Sequence, residues 1–167
     1  MYDELTQVDI DKMREEIEYR TKVLRPKVIE EVRAARSFGD LSENFEYRAA
    51  KQEKNRNESR IRYLERMIKT AKIVSGESKP DEVGLFDTVE LYFEEDDETQ
   101  TIRLMTTLRQ DALSGIISPK SPLGKAIMGR RTGDRVRVEV NPEYSYHVVI
   151  RSIQKGEDDA SLPISTY

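Results

Sequence analysis

Through the first half of the chain the apolar positions step with a helical period. Ile10, Met13, Ile17 and Leu24 are spaced by three, four and seven, and Val28, Val32 and Ala35 carry the stripe on after a slip near Pro26. Thr21 takes a step that an apolar residue would fill, so the seam is imperfect. Pro26 removes a backbone donor and predicts a bend or a restart, and Gly39 predicts a stop. The period resumes at Phe45 and Ala49 and is clearest at Ile61, Leu64, Ile68 and Ala71. Two helices of about 30 residues, each about 45 Å long and joined by a short turn, predict an antiparallel hairpin that buries one stripe on the other. Between Lys51 and Arg60 the run KQEKNRNESR has no aliphatic or aromatic residue. That zone is expected to be weakly zipped, held by salt bridges or by arginine and lysine stems. The base, near Ile10–Ile17 and Ile61–Ala71, should be firm and the outer half softer.

In the second half the period drops to two. DTVELYF turns Val89, Leu91 and Phe93 to one side, and QTIRLMTT does so with Ile102 and Leu104. DRVRVEV alternates Val136, Val138 and Val140 with Arg135, Arg137 and Glu139, and YHVVIRSI alternates Val148 and Ile150 with Val149 and Arg151. These read as half-buried antiparallel strands, joined by hairpin loops at Glu94–Thr99 and Asn141–Ser145. SPLGKAIMG reads as a short helix with Ser121 as N-cap, Pro122 in the first turn and Gly129 at the stop. The fold class is therefore α+β: an N-terminal antiparallel two-helix coiled-coil hairpin over 1–76, a small antiparallel sheet domain with a short helix over 77–156, and a frayed tail over 157–167.

Composition narrows the chemistry. The chain has no cysteine, so no disulfide or thiolate metal site, and His147 is its single histidine, which removes a histidine-rich metal cluster or a Ser-His catalytic pair near the tip. His147 itself reads as structural, and Ser118 and Ser121 have no base nearby in sequence. No apolar run nears the roughly 20 residues of a membrane span, and no basic-then-apolar leader opens the chain, so a cytoplasmic protein is expected. Residues 1–75 hold 17 lysines and arginines against 15 acids, whereas 76–167 hold 11 against 17. Bulk charge therefore predicts no nucleic-acid binding; any such contact is local. There is no glycine-rich phosphate loop.

The candidate chemistry lies in GDLSENFEY, between the two helical arms. Asp40 and Glu43 can supply part of an octahedral Mg²⁺ shell. The same Asp-x-x-Glu pattern is also a capping-box analogue, with Asp40 as N-cap and Glu43 at the third helical position. Spacing alone favours the cap. Glu46 reads as an ion-pair partner of Arg48 or a lysine. Arg33, Arg36, Arg48, Lys51 and Lys54 flank the tip and either track RNA phosphates or pair along a solvated helix. Tyr47 either stacks on a base or packs on the first helix.

Taken as extended motifs, GDLSENFEYRAAKQ resembles the hairpin tip of the Gre transcript cleavage factors, and ISPKSPLGKAIMGRRTGD resembles the second motif of that family, in its FKBP-like C-terminal domain. The resemblance covers about residues 8–155 and leaves Met1–Gln7 unmatched. It implies a factor whose hairpin enters the secondary channel of bacterial RNA polymerase while the C-terminal domain grips the channel rim. The tip then helps the polymerase cut the 3′ end of backtracked RNA. The family's catalytic carboxylates fall on Asp40 and Glu43, and its rim-binding loop on Ser121 and Pro122. The implied cofactor is Mg²⁺ shared with the polymerase and held by Asp40 and Glu43 only in that complex. The implied partners are the polymerase and the nascent RNA 3′ end, and the implied state is a monomer that completes another enzyme's active site. Phe45 stands where the family often has a small residue, and the Lys51–Arg60 run and the tail after Gly156 also depart from it.

Two other functions fit the same outline. One is a secondary-channel regulator that inhibits or retunes the polymerase without cleavage. The other is a coiled-coil adaptor or chaperone gripping protein through an apolar tip, for which Leu41 and Phe45 are the suitable residues.

Overall fold

The computed structural model describes residues 3–37 and 44–166. The chain divides into two compact units, Ile10–Ala71 and the pairing of Asp3–Asp9 with the chain from Lys72 onward. The division expected at residue 76 thus falls at Ala71, and the N-terminal segment joins the second unit.

The first unit is the helical pair. Its first arm opens with Thr6 as cap. The Thr6 amide donates to Asp9 Oδ2 (3.1 Å) and the Asp9 amide donates to Thr6 Oγ1 (3.4 Å), a reciprocal capping box. Helix α1 (Gln7–Tyr19) runs into a π-helical stretch, Arg20–Leu24, and continues as α2 (Arg25–Arg36). Pro26 has no N–H to give the preceding turn and its ring crowds that turn's carbonyl. The chain answers with a wider turn, in which the Arg25 amide donates to the Arg20 carbonyl five residues back. The slip expected near Pro26 is this π turn, and Val28, Val32 and Ala35 beyond it are buried.

The second arm, α3 (Phe45–Thr70), packs along α2. Its inward positions are Tyr47, Ala50, Lys54, Asn57, Ile61, Leu64 and Ile68, stepping by three and four. The stripe expected to resume at Phe45 and Ala49 therefore starts at Tyr47 and Ala50, and Phe45 and Ala49 face outward. Ala71 caps the arm in extended backbone and is not part of it.

The residue-poor middle of that stripe is closed by polar groups. Arg60 is buried and donates to both Glu16 oxygens (2.7 and 3.2 Å), and Arg20 Nε also donates to Glu16 (2.8 Å). Buried Asn57 accepts from Arg20 (3.0 Å) and donates to the Arg20 backbone carbonyl (3.1 Å). Arg25 makes a two-pronged contact with Glu58 (2.7 and 3.0 Å). The π turn and the polar run are in register, and Asn57 gives the π turn's first carbonyl a second partner.

In the second unit, a five-stranded sheet has the order β5-β4-β3-β7-β6, with β3 Thr88–Phe93, β4 Glu98–Leu104, β5 Ile116–Ile117, β6 Arg135–Asn141 and β7 Tyr144–Gln154. All pairings are antiparallel except β4–β5, which is parallel, so the sheet expected to be antiparallel is mixed. A two-residue strand of bare Ile-Ile is too short to carry an alternating pattern, which is why it escaped the period-two reading. A separate parallel pair joins β1 (Glu4–Leu5) to β2 (Lys72–Ile73). The core is Val83, Val89, Leu91, Ile102, Leu104, Val136, Val138, Val148, Ile150 and, from helix α4 (Pro122–Ile127), Ile127. Val140, expected to face inward, is exposed, because the β6–β7 register shifts between Glu139 and Asn141.

The tail expected to fray is tied down through Ser165. Arg109, whose side chain is fully buried, pairs with Asp9 (Nε to Oδ1, 2.7 Å), which is as deeply buried, and with Asp158, and it donates to the Asp159 carbonyl (2.9 Å). Thr6 Oγ1 donates to Asp158 (2.6 Å), Arg103 pairs with Asp159 (3.3 Å), and the Ser165 amide donates to the Leu108 carbonyl (2.6 Å). Lack of periodicity in the tail reflected fixing by charge instead of by an apolar stripe.

Candidate functional site at the hairpin tip

Asp40 and Glu43, the paired acids of the sequence motif, lie outside the described residues, as do Leu41 and the Gly39 stop. What the structure describes is the frame on either side. The first arm ends at Ser37, whose amide (3.1 Å) and hydroxyl (2.6 Å) both donate to the Ala34 carbonyl. The second arm begins at Asn44. Its Oδ1 accepts from the Tyr47 amide (3.0 Å) as N-cap, and its Nδ2 donates to the Ala35 carbonyl (2.8 Å). One side chain thus satisfies an orphan donor of one helix and an orphan acceptor of the other, fixing the two ends of the tip segment to each other. The N-cap role that spacing gave Asp40 belongs to Asn44. Sequence reasoning passed over Asn44, although asparagine three residues before an amide is itself an N-cap signal.

The basic flank divides by partner. Arg33 pairs with Glu30 (3.0 Å) on the exposed face, the ordinary helical pairing. The Arg36 guanidinium lies over the Tyr47 ring, 5.7 Å from its centroid, and its hydrogen bond holds the phenol below its ordinary pKa. Tyr47 therefore packs on the first arm. The Arg48 guanidinium lies 5.9 Å from the Phe45 ring centroid. Lys51 is exposed and Lys54 half-buried in the seam; neither forms an ion pair among the described residues, and the Lys54 charge helps hold the Glu58 carboxyl down. Both add positive potential at Tyr47. Glu46, expected to pair with Arg48 or a lysine, forms no ion pair among the described residues; with Glu31, Glu53 and four alanines it lines a shallow groove of about 400 Å³.

In the sheet unit, the Ser121 hydroxyl is committed to its own loop. It accepts from the Gly124 amide (3.0 Å) as N-cap of α4 and donates to the Ser118 carbonyl (2.7 Å). Gly124 is required there, because a Cβ would stand 2.0 Å from the Ser118 carbonyl oxygen. Pro122 is exposed at the first position of α4. Ser121 therefore shapes the loop and Pro122 presents it. Neither Ser118 nor Ser121 has a general base as a partner. His147 sits in β7 with its amide donating to Glu95 (3.1 Å) and its ring 3.5 Å from the same carboxylate, a structural contact. Among the described residues no group of three or more acids and histidines is placed to hold a metal ion, and no helix is long and apolar enough to cross a membrane.

This frame, two long arms pinned at the tip and followed by an α+β unit, matches known sequences along nearly its whole length. A family profile described as "Transcription elongation factor, N-terminal" matches residues 4–73, and one described as "Transcription elongation factor, GreA/GreB, C-term" matches residues 77–155. Transcription elongation factor GreA of Thermoanaerobacter pseudethanolicus is 42% identical over 137 residues, 81% of this chain and 87% of that one. The GreA of Streptococcus pneumoniae serotype 19F is 38% identical over 152 residues, 90% of this chain and 94% of that one. A solved structure of the GreA factor homolog 1 (Gfh1) protein of Thermus thermophilus is 26% identical, covers 93% of this chain and 100% of that one, and superposes with a TM-score of 0.42. The chain belongs to the GreA/GreB family of transcription elongation factors.

Proposed function

We propose that this chain, acting as a monomer, inserts its helical arms into the secondary channel of bacterial RNA polymerase and stimulates the polymerase's own cleavage of backtracked RNA. An exposed tip has no walls to exclude water or orient a substrate, so it makes a poor enzyme alone. It makes a good donor to a site that another protein has nearly completed. Asp40 and Glu43 offer carboxylate oxygens, the donor type that Mg²⁺ takes in ones and twos while keeping its waters. When bound, that ion supplies charge stabilisation and a more acidic water for phosphodiester hydrolysis, the second of the two ions such a reaction uses. The protein's own task is to carry the two acids to the polymerase centre and hold their segment at a fixed spread, through Asn44. Lys51 lies exposed along the second arm as a cation for the phosphates of the extruded RNA, whereas Lys54, half-buried in the seam, is less open to them. Pro122 and its loop meet the rim.

The observation that carries the reading is the cap on the second arm. Asn44 performs the task that would otherwise explain why acids stand at this helix start, so Asp40 and Glu43 are not needed for it. The test uses stalled, backtracked elongation complexes in Mg²⁺. Addition of the protein should shorten the RNA from its 3′ end. Asp40→Ala and Glu43→Ala should each abolish that cleavage while still co-migrating with the polymerase. Full-rate cleavage by both variants rules out the assignment. Binding with slowed elongation and no cleavage by the unaltered chain identifies the regulatory alternative.

A further inference from the structure

We infer that Phe45 is a stacking platform for the base at the RNA 3′ end, a role that rests on the cleavage reading above. Phe45 is the first residue of α3 and follows Glu43 by two positions. It is 78% exposed, on the outer side of the arm, and takes no part in the seam that begins at Tyr47. An aromatic ring this open forgoes a favourable burial. The other aromatic at the tip is already occupied, since Tyr47 is held against Arg36 across the arms. The base-stacking role that sequence left open for Tyr47 therefore passes to Phe45.

The surroundings of Phe45 select the ligand. Arg48, one turn along, sets its guanidinium beside the ring. Lys51, exposed a further turn along, carries positive charge on along the arm and forms no ion pair among the described residues, whereas Lys54 turns into the seam. A ring with an open face, followed by the two cations Arg48 and Lys51, suits single-stranded nucleic acid: the base lies on the ring and the phosphates follow the charges. A protein partner would need a wider apolar patch, and the exposed neighbours of Phe45 on this arm are Glu46, Arg48 and Ala49. Stacking is blind to base identity, which suits a factor that must act wherever the polymerase halts. It also orders the terminal nucleotide on a residue only two positions along the chain from Glu43, so the gain should appear in the cleavage rate more than in affinity for the polymerase.

The experiment places 2-aminopurine at the RNA 3′ end of a backtracked complex. The doubly substituted factor Asp40→Asn/Glu43→Gln is added so that the RNA stays intact, and quenching of the fluorophore reports stacking. Quenching should occur with Phe45 and with Phe45→Tyr, and be lost with Phe45→Ala and with Phe45→Leu. With the acids restored, Phe45→Ala should lower the cleavage rate about tenfold at unchanged affinity for the polymerase, and Phe45→Tyr should recover it. Equal quenching and equal cleavage for Phe45→Ala overturn the platform while leaving the cleavage reading intact. Recovery of quenching and rate by Phe45→Leu overturns it in favour of an apolar contact with the channel wall. Absence of cleavage by the unaltered chain overturns the reading above, and loss of quenching in Phe45→Ala still identifies the platform in that case.

Discussion

The sheet unit gathers ten aliphatic side chains into its core and keeps its buried charge outside that core, where Arg109 meets Asp9 and Asp158 and where Asp87 meets Lys155. The hairpin does the reverse. Its aliphatic contacts sit toward the ends of the arms, and its middle is closed by Arg60, Glu16, Arg20 and Asn57. In the sheet unit charge joins chain segments far apart in sequence, Thr6–Asp9, Arg109 and the tail. In the hairpin it fixes the alignment of two arms whose apolar stripe is interrupted. A buried pair is a weak source of net stability but a strong penalty against any arrangement that separates it. Both units use this property, one to close a chain and the other to set a register.

The sharpest way to break the comparison is Arg109→Ala. Both Asp9 and Arg109 side chains are wholly out of water, so removal of the cation strands a buried carboxylate. The expected loss is about 3–5 kcal/mol, read as a lowered urea midpoint. Segment-resolved hydrogen exchange should show the loss at residues 3–9, 107–109 and 157–166 before it reaches the sheet core. Retention of tail protection in the variant would mean that Leu162, Ile164 and the backbone bond from Ser165 hold the tail without charge.

The Arg109 cluster also marks where sequence stopped being informative. The four long strands β3, β4, β6 and β7 were readable because each carries its own alternation, and α4 because Ser121, Pro122 and Gly129 mark its ends. Arg109 sits in a short 3-10 turn within a polar stretch, Thr107–Arg109, and nothing local distinguishes it from the many exposed arginines. Its burial is made by residues a hundred positions upstream and fifty downstream. The Thr6–Asp9 capping box was present in the letters TQVD and was a missed signal of an ordinary kind. At the tip, the sequence motif located the acids and the family resemblance gave them meaning. The spacing rule misplaced the cap by four residues, because Asp and Asn are near-equal N-caps and only the tie from Asn44 to Ala35 decides between them. The misplaced start of the second stripe has a similar cause. Phe45 and Ala49 fit a four-residue step as well as Tyr47 and Ala50 fit a three-residue one, and the cross-arm contact of Tyr47 with Arg36 makes the choice.

In the hairpin the corresponding substitution is Arg60→Ala. Arg60 is as buried as Arg109, but its partner Glu16 keeps about a fifth of its side-chain surface in water. The stranded carboxylate can therefore rehydrate and keeps its bond from Arg20. The expected loss is smaller, about 2 kcal/mol. It should appear as faster exchange around residues 16–24 and 54–61, with the sheet unit unchanged. A loss equal to that of Arg109→Ala would show that the seam closes over Glu16 more completely than its exposure indicates.

The smallest effect is a pH dependence confined to the hairpin. Burial by itself raises the Glu16 carboxyl, but the hydrogen bonds from Arg60 and Arg20 outweigh it, and the group ends below the ordinary 4.5. The unfolded chain therefore takes up its proton first as the pH falls. The stabilisation is whole above about 4.5 and drains as the pH drops through the lowered folded value. Glu58, bonded to Arg25, is shifted the same way, so the raw acid profile of the hairpin mixes both groups. The difference between the unaltered chain and Glu16→Gln isolates the seam. Above pH 4.5 the variant should be less stable by a constant amount, and below it the two curves should converge. Parallel curves down to pH 3 would mean that Glu16 keeps the same affinity for its proton in both states, and that the seam's charges set register without contributing to stability at all.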